Sequence, residues 1–157
     1  MSVSVTVTGG NNFVAILEQI ARQAEVTLKV GVLEGAIDSK GEAVALRAFY
    51  NEFGTVNIPA RPAFRNTVAD KASNWAHGLG TLVRGRMTEP GVVENAFQQL
   101  GEVMKGDIQD TIGSGVGAEL KESTVKAKTR KELAAPALQL VEAADYQNSI
   151  KFKVNKK

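Results

Sequence analysis

The chain has 157 residues, 43% of them apolar and 23% charged, a composition that suits one globular domain and is far from that of a disordered chain. It contains no cysteine, which removes a disulfide framework, a thiol nucleophile and cysteine-ligated zinc, and no apolar run nears the ~20 residues that cross a bilayer. The formal net charge of +2 is too small to point to nucleic acid on its own.

In chain order, Ser2 to Thr8 alternates Val3, Val5 and Val7 against Ser4, Thr6 and Thr8, the pattern of a half-buried strand. This start lacks the basic-then-apolar layout of a signal peptide, so synthesis and use in the cytoplasm are expected. Gly9-Gly10 breaks the strand, and Asn11 or Asn12 caps a helix whose apolar positions are Phe13, Ile16, Leu17, Ile20 and Ala24. Val26 to Leu33 alternates again. After a Gly-rich loop, Gly41 to Phe53 reads as a helix with Val44, Ala45, Ala48, Phe49 and Phe53 on one face, stopped by Gly54.

Pro59 and Pro62 push Ile58 and Arg61 toward extended geometry, so Ile58 to Arg61 reads as a stiff strut, with Pro62 in the first turn of the next helix. That layout places Glu52, Arg61 and Arg65 together on an exposed corner, better suited to docking than to turnover. The following helix steps through Phe64, Val68, Ala72, Trp75, Leu79 and Leu82, with a kink or early end expected near His77 because Gly78 and Gly80 weaken it. Thr88 and Pro90 announce another helix, with Val93, Phe97, Leu100, Met104 and Ile108 on its face and an end near Ile112.

Residues 113–135 read as a flexible segment within a single domain spanning 1–157. Its glycines at 113, 115 and 117 form a hinge, and Lys121, Lys126, Lys128, Arg130 and Lys131 then face three glutamates in a mobile basic loop, helical in part, that orders against a partner. Leu138 to Ala144 reads as a short helical turn, and Ser149 to Val154 as a final strand. The expected fold is α+β: a small sheet, with strands near 2–8, 26–33 and 149–155, covered by three to four helices.

Chemical constellations are weak. His77, the single histidine, has no identifiable acid–base partner and reads as a helix-surface residue. The glycines after residue 112 lack the Lys-Ser or Lys-Thr of a phosphate loop, and Glu34, Asp38 and Glu42 match no calcium loop. Trp75 falls on an apolar helix face and reads as core. No catalytic residue, metal or cofactor is therefore expected. The basic loop together with Lys151, Lys153, Lys156 and Lys157 is the one notable charge feature, suited to an acidic protein ring or to passing DNA.

The ordered string Asn51-Glu52-Phe53-Gly54-Thr55, Ile58-Pro59-Ala60-Arg61-Pro62 and Phe64-Arg65 resembles the signature of tail-completion proteins of long-tailed bacteriophages. This is the gene-product-ten family of lambdoid phages, related to the virion-morphogenesis proteins of the neck. Leu120, Ser123-Thr124, residues 126–131, Leu140-Val141 and residues 146–150 are similar to the family's carboxy-terminal pattern. The chain departs from that pattern at Glu122, where proline is usual, at Glu142-Ala143-Ala144, where Asp-Thr-Gly is usual, and at Ala63, often an aromatic.

The resemblance implies a non-catalytic virion protein, assembled in the host cytoplasm, that completes the tail and joins it to the DNA-filled head. It further implies a homo-oligomeric ring of six-fold symmetry that binds the tail terminator below and the head-side connector above. Docking is expected at Glu52, Phe53, Gly54, Thr55, Ile58, Pro59, Arg61, Pro62, Phe64 and Arg65, and at the basic loop, with non-specific contact to genomic DNA as a further use of that charge. A tail terminator or head-closing stopper of the same connector is the nearest alternative, and a small basic DNA-binding protein is the alternative of another class.

Overall fold

In the computed structural model, which describes residues 15, 18, 21–23, 25–37, 41–117, 119–130 and 145–156, the alternating stretch forms strand β1 (Val26–Val32). It pairs antiparallel with β2 (Ile150–Lys156), Val32 opposite Ile150 and Val26 opposite Lys156. Between them run α1 (Val44–Phe53), α2 (Ala63–Val83), α3 (Val92–Ser114), α4 (Glu122–Arg130) and the single turn α5 (Asp145–Asn148). The fold is α+β, a small antiparallel sheet covered by helices. Residues 15, 18 and 21–23 are helical, within the helix expected there. The strand expected at Ser2 to Thr8 and the turn at Leu138 to Ala144 lie outside the described residues.

The core is where α3 crosses the sheet and α1 closes one end. Val44, Ala48, Ala63, Ile108, Ile112, Tyr146 and Ile150 are buried together, with Val30, Val32, Phe64 and Val116 packed against them. Gly101 lets α3 approach β2 closely, because a Cβ there would overlap the Phe152 ring. Reciprocal hydrogen bonds tie α3 to α5: Gln109 Nε2 donates to the Gln147 carbonyl at 2.9 Å, and Gln147 Nε2 to the Gln109 carbonyl at 2.7 Å. Trp75 is buried, its indole N–H donating to Asp107 Oδ2 at 2.6 Å and joining α2 to α3.

Several sequence expectations are corrected. Helix α2 does not end near His77. It runs through Gly78 and Gly80 to Val83, since two interior glycines cost only about 1 kcal/mol each and packing on α3 outweighs that. Helix α3 likewise continues through Gly113, and its end comes at Gly115, whose φ of +82° suits glycine. The basic stretch is not among these: it is helical in part, as expected, and contains α4, almost every described side chain of which is exposed.

The buried stripes also differ from the predicted faces. Helix α1 buries Val44, Ala48 and Glu52, spaced by four, and leaves Phe49 and Phe53 each 56% exposed. Helix α2 buries Ala63, Thr67 and Trp75 and exposes Val68. Thr67 is tolerated inside because its hydroxyl lies 2.7 Å from the Ala63 carbonyl and 2.8 Å from the Thr111 hydroxyl.

Candidate docking site at the turn between α1 and α2

Helix α2 begins without a local cap. Pro62 occupies the N-cap position and has no side-chain oxygen to accept from the first amides, which an N-cap side chain ordinarily satisfies at the second and third helical residues. Glu52, at the end of the preceding helix, takes that role. Its Oε2 accepts from the Phe64 amide and its Oε1 from the Arg65 amide, each at 3.0 Å. The Arg65 side chain completes the clip, Nε donating to Glu52 Oε1 at 3.0 Å and a terminal nitrogen to the Glu52 carbonyl at 2.6 Å. A carboxylate against a helix N-terminus is also favoured by the helix dipole.

Glu52 is only 6% exposed while the Arg65 side chain reaches solvent, so the carboxylate is shielded within the clip and its charge-assisted bonds tie the two helices together. Tyr146 lies on the inner side of the clip. Burial first, and then the Glu52 charge, push its phenol up to about 12, while Arg47 opposes the shift.

The linker between the helices is fastened at both ends. Gly54 takes φ +76° and ψ 179°, and a Cβ there would lie 2.8 Å from the Ala60 nitrogen and 2.9 Å from the Ile58 carbonyl oxygen. Thr55 closes the tip: its amide donates to the Ile58 carbonyl at 2.8 Å, and its hydroxyl accepts from the Ile58 amide at 3.1 Å. The Arg61 amide donates to the Asn51 carbonyl at 2.6 Å. Gly117, with φ +79°, passes so close to Ala60 and Arg61 that no side chain fits between them.

The sequence reading placed Glu52, Arg61 and Arg65 on an exposed corner; the structure corrects this. It does bring Glu52 and Arg65 together, but Glu52 is internal and Arg61 is 8% exposed, its Nε buried without a hydrogen-bond partner. The polar residues of the motif therefore build the turn. Its apolar residues face out. Val56 at the tip is fully exposed, Ile58 and Phe53 are exposed, and Pro59 is exposed beside them. Phe53 stacks on Phe49 at 4.8 Å between ring centroids, and the Arg65 guanidinium lies 4.9 Å over the Phe53 ring. Pro62 and Phe64 are half-buried and support the site from within.

Sequence reasoning missed Leu46, Tyr50 and Val56, which extend this apolar face. Val56 carried a signal, since an apolar residue between Gly54 and Pro59 stands where turns normally place polar ones. Lys121, just before α4, and Lys126 and Arg130 on it are exposed, and Lys126 pairs with Glu122 at 2.6 Å. Lys131 and the Lys128 side chain lie outside the described residues. A second basic surface emerges from strand register: Lys29 stands directly opposite Lys153, with Lys151 opposite Gly31, and none of the three has an ion pair among the described residues.

His77 is exposed, and among the described residues no group of three histidine, aspartate or glutamate side chains is placed to hold a metal ion. No helix among them is long and apolar enough to cross a membrane. No family model, curated protein or solved structure matches the chain.

Proposed function

We propose that this protein is a structural subunit of a bacteriophage neck, completing the tail and joining it to the filled head as part of a ring, and that it carries out no catalysis. The observation that carries the reading is the inversion at residues 51–65. The string that resembles the tail-completion signature folds as one unit whose charged residues lock the turn and whose apolar residues, Phe53, Val56 and Ile58, stand in solvent. A rigid tip with an exposed apolar surface is costly to keep in water and suits permanent docking between virion proteins. The tail terminator and the head-side connector are the partners this reading supplies, and the virion is its location.

The decisive experiment is a stop codon in this gene within its phage, followed by electron microscopy of the lysate. DNA-filled heads beside separate, complete-looking tails are expected. Finished infectious particles would remove the neck reading.

The lysine face of the sheet favours one second reading, contact with duplex DNA. It predicts retention on DNA at low salt that falls steeply toward physiological ionic strength, and no retention at low salt would exclude it.

A further inference from the structure

One buried charge among the described residues has no counterpart. Arg61 is 8% exposed, and its guanidinium makes no ion pair and no hydrogen bond to any described residue, with Nε sealed from water. A guanidinium cannot shed its charge by losing a proton, as a buried lysine or histidine does. An ionised group away from water is costly unless it is paired and hydrogen-bonded. The carboxylate of the clip cannot serve, because Glu52 is already spent on the Phe64 and Arg65 amides and on Arg65 Nε. The Asn51 carbonyl is taken by the Arg61 amide.

The backbone under this side chain is held in place. Gly54 and Gly117, both at positive φ, close on it: a Cβ at residue 54 would lie 2.8 Å from the Ala60 nitrogen, and one at residue 117 would lie 3.2 Å from both Cα and Cγ of Arg61. Two positions that only glycine suits are thus committed to seating an arginine. A methionine would fill much of the same space with no charge to desolvate, so nothing among the described residues calls for the guanidinium. Its terminal nitrogens, unlike Nε, are not sealed. The fork therefore keeps a narrow opening to the outside, at one end of the linker that exposes Val56, Ile58 and Pro59.

We infer that Arg61 is the receptor for a carboxylate, the aspartate or glutamate side chain of another virion protein, which enters beside the exposed apolar tip when the subunit docks. The inference rests on the neck reading above, which supplies unlike proteins on both sides, and it gives that docking its specificity. A guanidinium fork matches a carboxylate with two parallel hydrogen bonds. Burial makes the match discriminating, because a partner without the acid leaves the charge stranded. The opening also selects the source of the anion. A phosphate of duplex DNA is fixed to a broad, stiff backbone and stops at the surface, whereas a single side chain reaches a residue this deeply buried.

Arg61→Met is the test, read first in the isolated subunit. It removes an unpaired charge, so the variant should melt about 3 °C or more above the parent. Arg65→Met, which loses a guanidinium bonded to Glu52, should melt below the parent. A lower melting temperature for Arg61→Met would mean that the chain itself compensates the arginine, and would overturn the proposal. In the phage, Arg61→Met should cut head–tail joining at least about tenfold, since the partner's acid is then buried without its mate. Selection for recovered joining should return replacement of one aspartate or glutamate in another virion protein by an uncharged residue. Suppressors confined to this chain would overturn the proposal by making a second copy the source. Acetate or inorganic phosphate at ~10 mM should leave the parent's melting temperature unchanged, because either anion alone lacks the flanking apolar contact. A rise that Arg61→Met lacks would give the site to a free anion and overturn the proposal. Separated heads and tails from the stop-codon phage, with normal joining by Arg61→Met, would keep the neck reading and remove this one. Infectious particles from the stop-codon phage would remove the neck reading and the virion partner with it, even where Arg61→Met melts higher.

Discussion

The seam between α3 and β2 and the turn between α1 and α2 follow opposite rules. At the seam, Phe152 packs on Gly101, Ile108 and Ile112 lie with Ile150 in the core, and lysines face out. At the turn, a glutamate and an arginine are inside, and phenylalanine, valine and isoleucine are outside. The seam gains stability from apolar burial, which tolerates modest change as long as volume is kept. The turn gains its shape from a few directional bonds, and the exposed side chains at its tip, Val56 and Ile58, add little to the isolated subunit. Both places hold the fold together, but the exposed apolar side chains of the turn take little part in that, so the proposed docking can be separated from stability by mutation at Val56.

The largest effect should come from the turn. Glu52→Ala leaves the Phe64 and Arg65 amides and the Arg65 guanidinium without their acceptor, and should cost about 3 kcal/mol in urea denaturation. Gly101→Ala should cost about 2 kcal/mol by the same measurement, since Phe152 must move to admit a methyl group. The comparison sharpens further if only Glu52→Ala also abolishes docking.

Raising the pH probes the two regions together through Tyr146. Its phenol is pushed up to about 12, so the folded state favours the protonated form relative to the unfolded chain. That contribution is fully present below about pH 10 and is lost as pH rises from there through 12. On the order of 2 kcal/mol should disappear over this window, read as a fall in the urea midpoint, and Tyr146→Phe should flatten it. The smallest effect on stability belongs to Val56→Ser, within about 0.5 kcal/mol of the parent, together with a clear loss of head–tail joining. A Val56→Ser protein that joins heads to tails normally would break the division between the two regions.

What could be read from the sequence follows the same division. Alternation in 26–33 and 149–155 located both described strands within a residue or so, and helical periodicity located α1, α2 and α3, because burial of apolar residues governs those segments. The faces of α1 were misread because the buried stripe at 44, 48 and 52 ends in a carboxylate, which a hydrophobic pattern discards. A cue existed in the start of α2: Ala60-Arg61-Pro62 offers no capping oxygen, so a 21-residue helix had to borrow one from elsewhere. The lysine face was legible in part: Lys151 and Lys153 stand out in the sequence, and Lys29 does not, because its place opposite Lys153 comes from strand register, which one element's pattern does not carry.

Finally, the sheet joins a strand near the start of the described residues to the one at their end, and no other strand pairs with β1 among the described residues. During synthesis at ~5–20 residues per second, β1 waits on the order of ten seconds before β2 exists at all. Through that interval Val26–Val32 presents a valine-rich edge to every nascent chain nearby, the circumstance in which strands pair with the wrong partner. Lys29 stands in its middle, and Lys151 and Lys153 interrupt β2 in the same way. Like charges meet directly at Lys29 and Lys153 in the finished protein, a small standing penalty. Replacing Lys29 with threonine would relieve it in the folded subunit while removing the gatekeeper from the newborn chain, so yield from the ribosome and stability of the product should move in opposite directions.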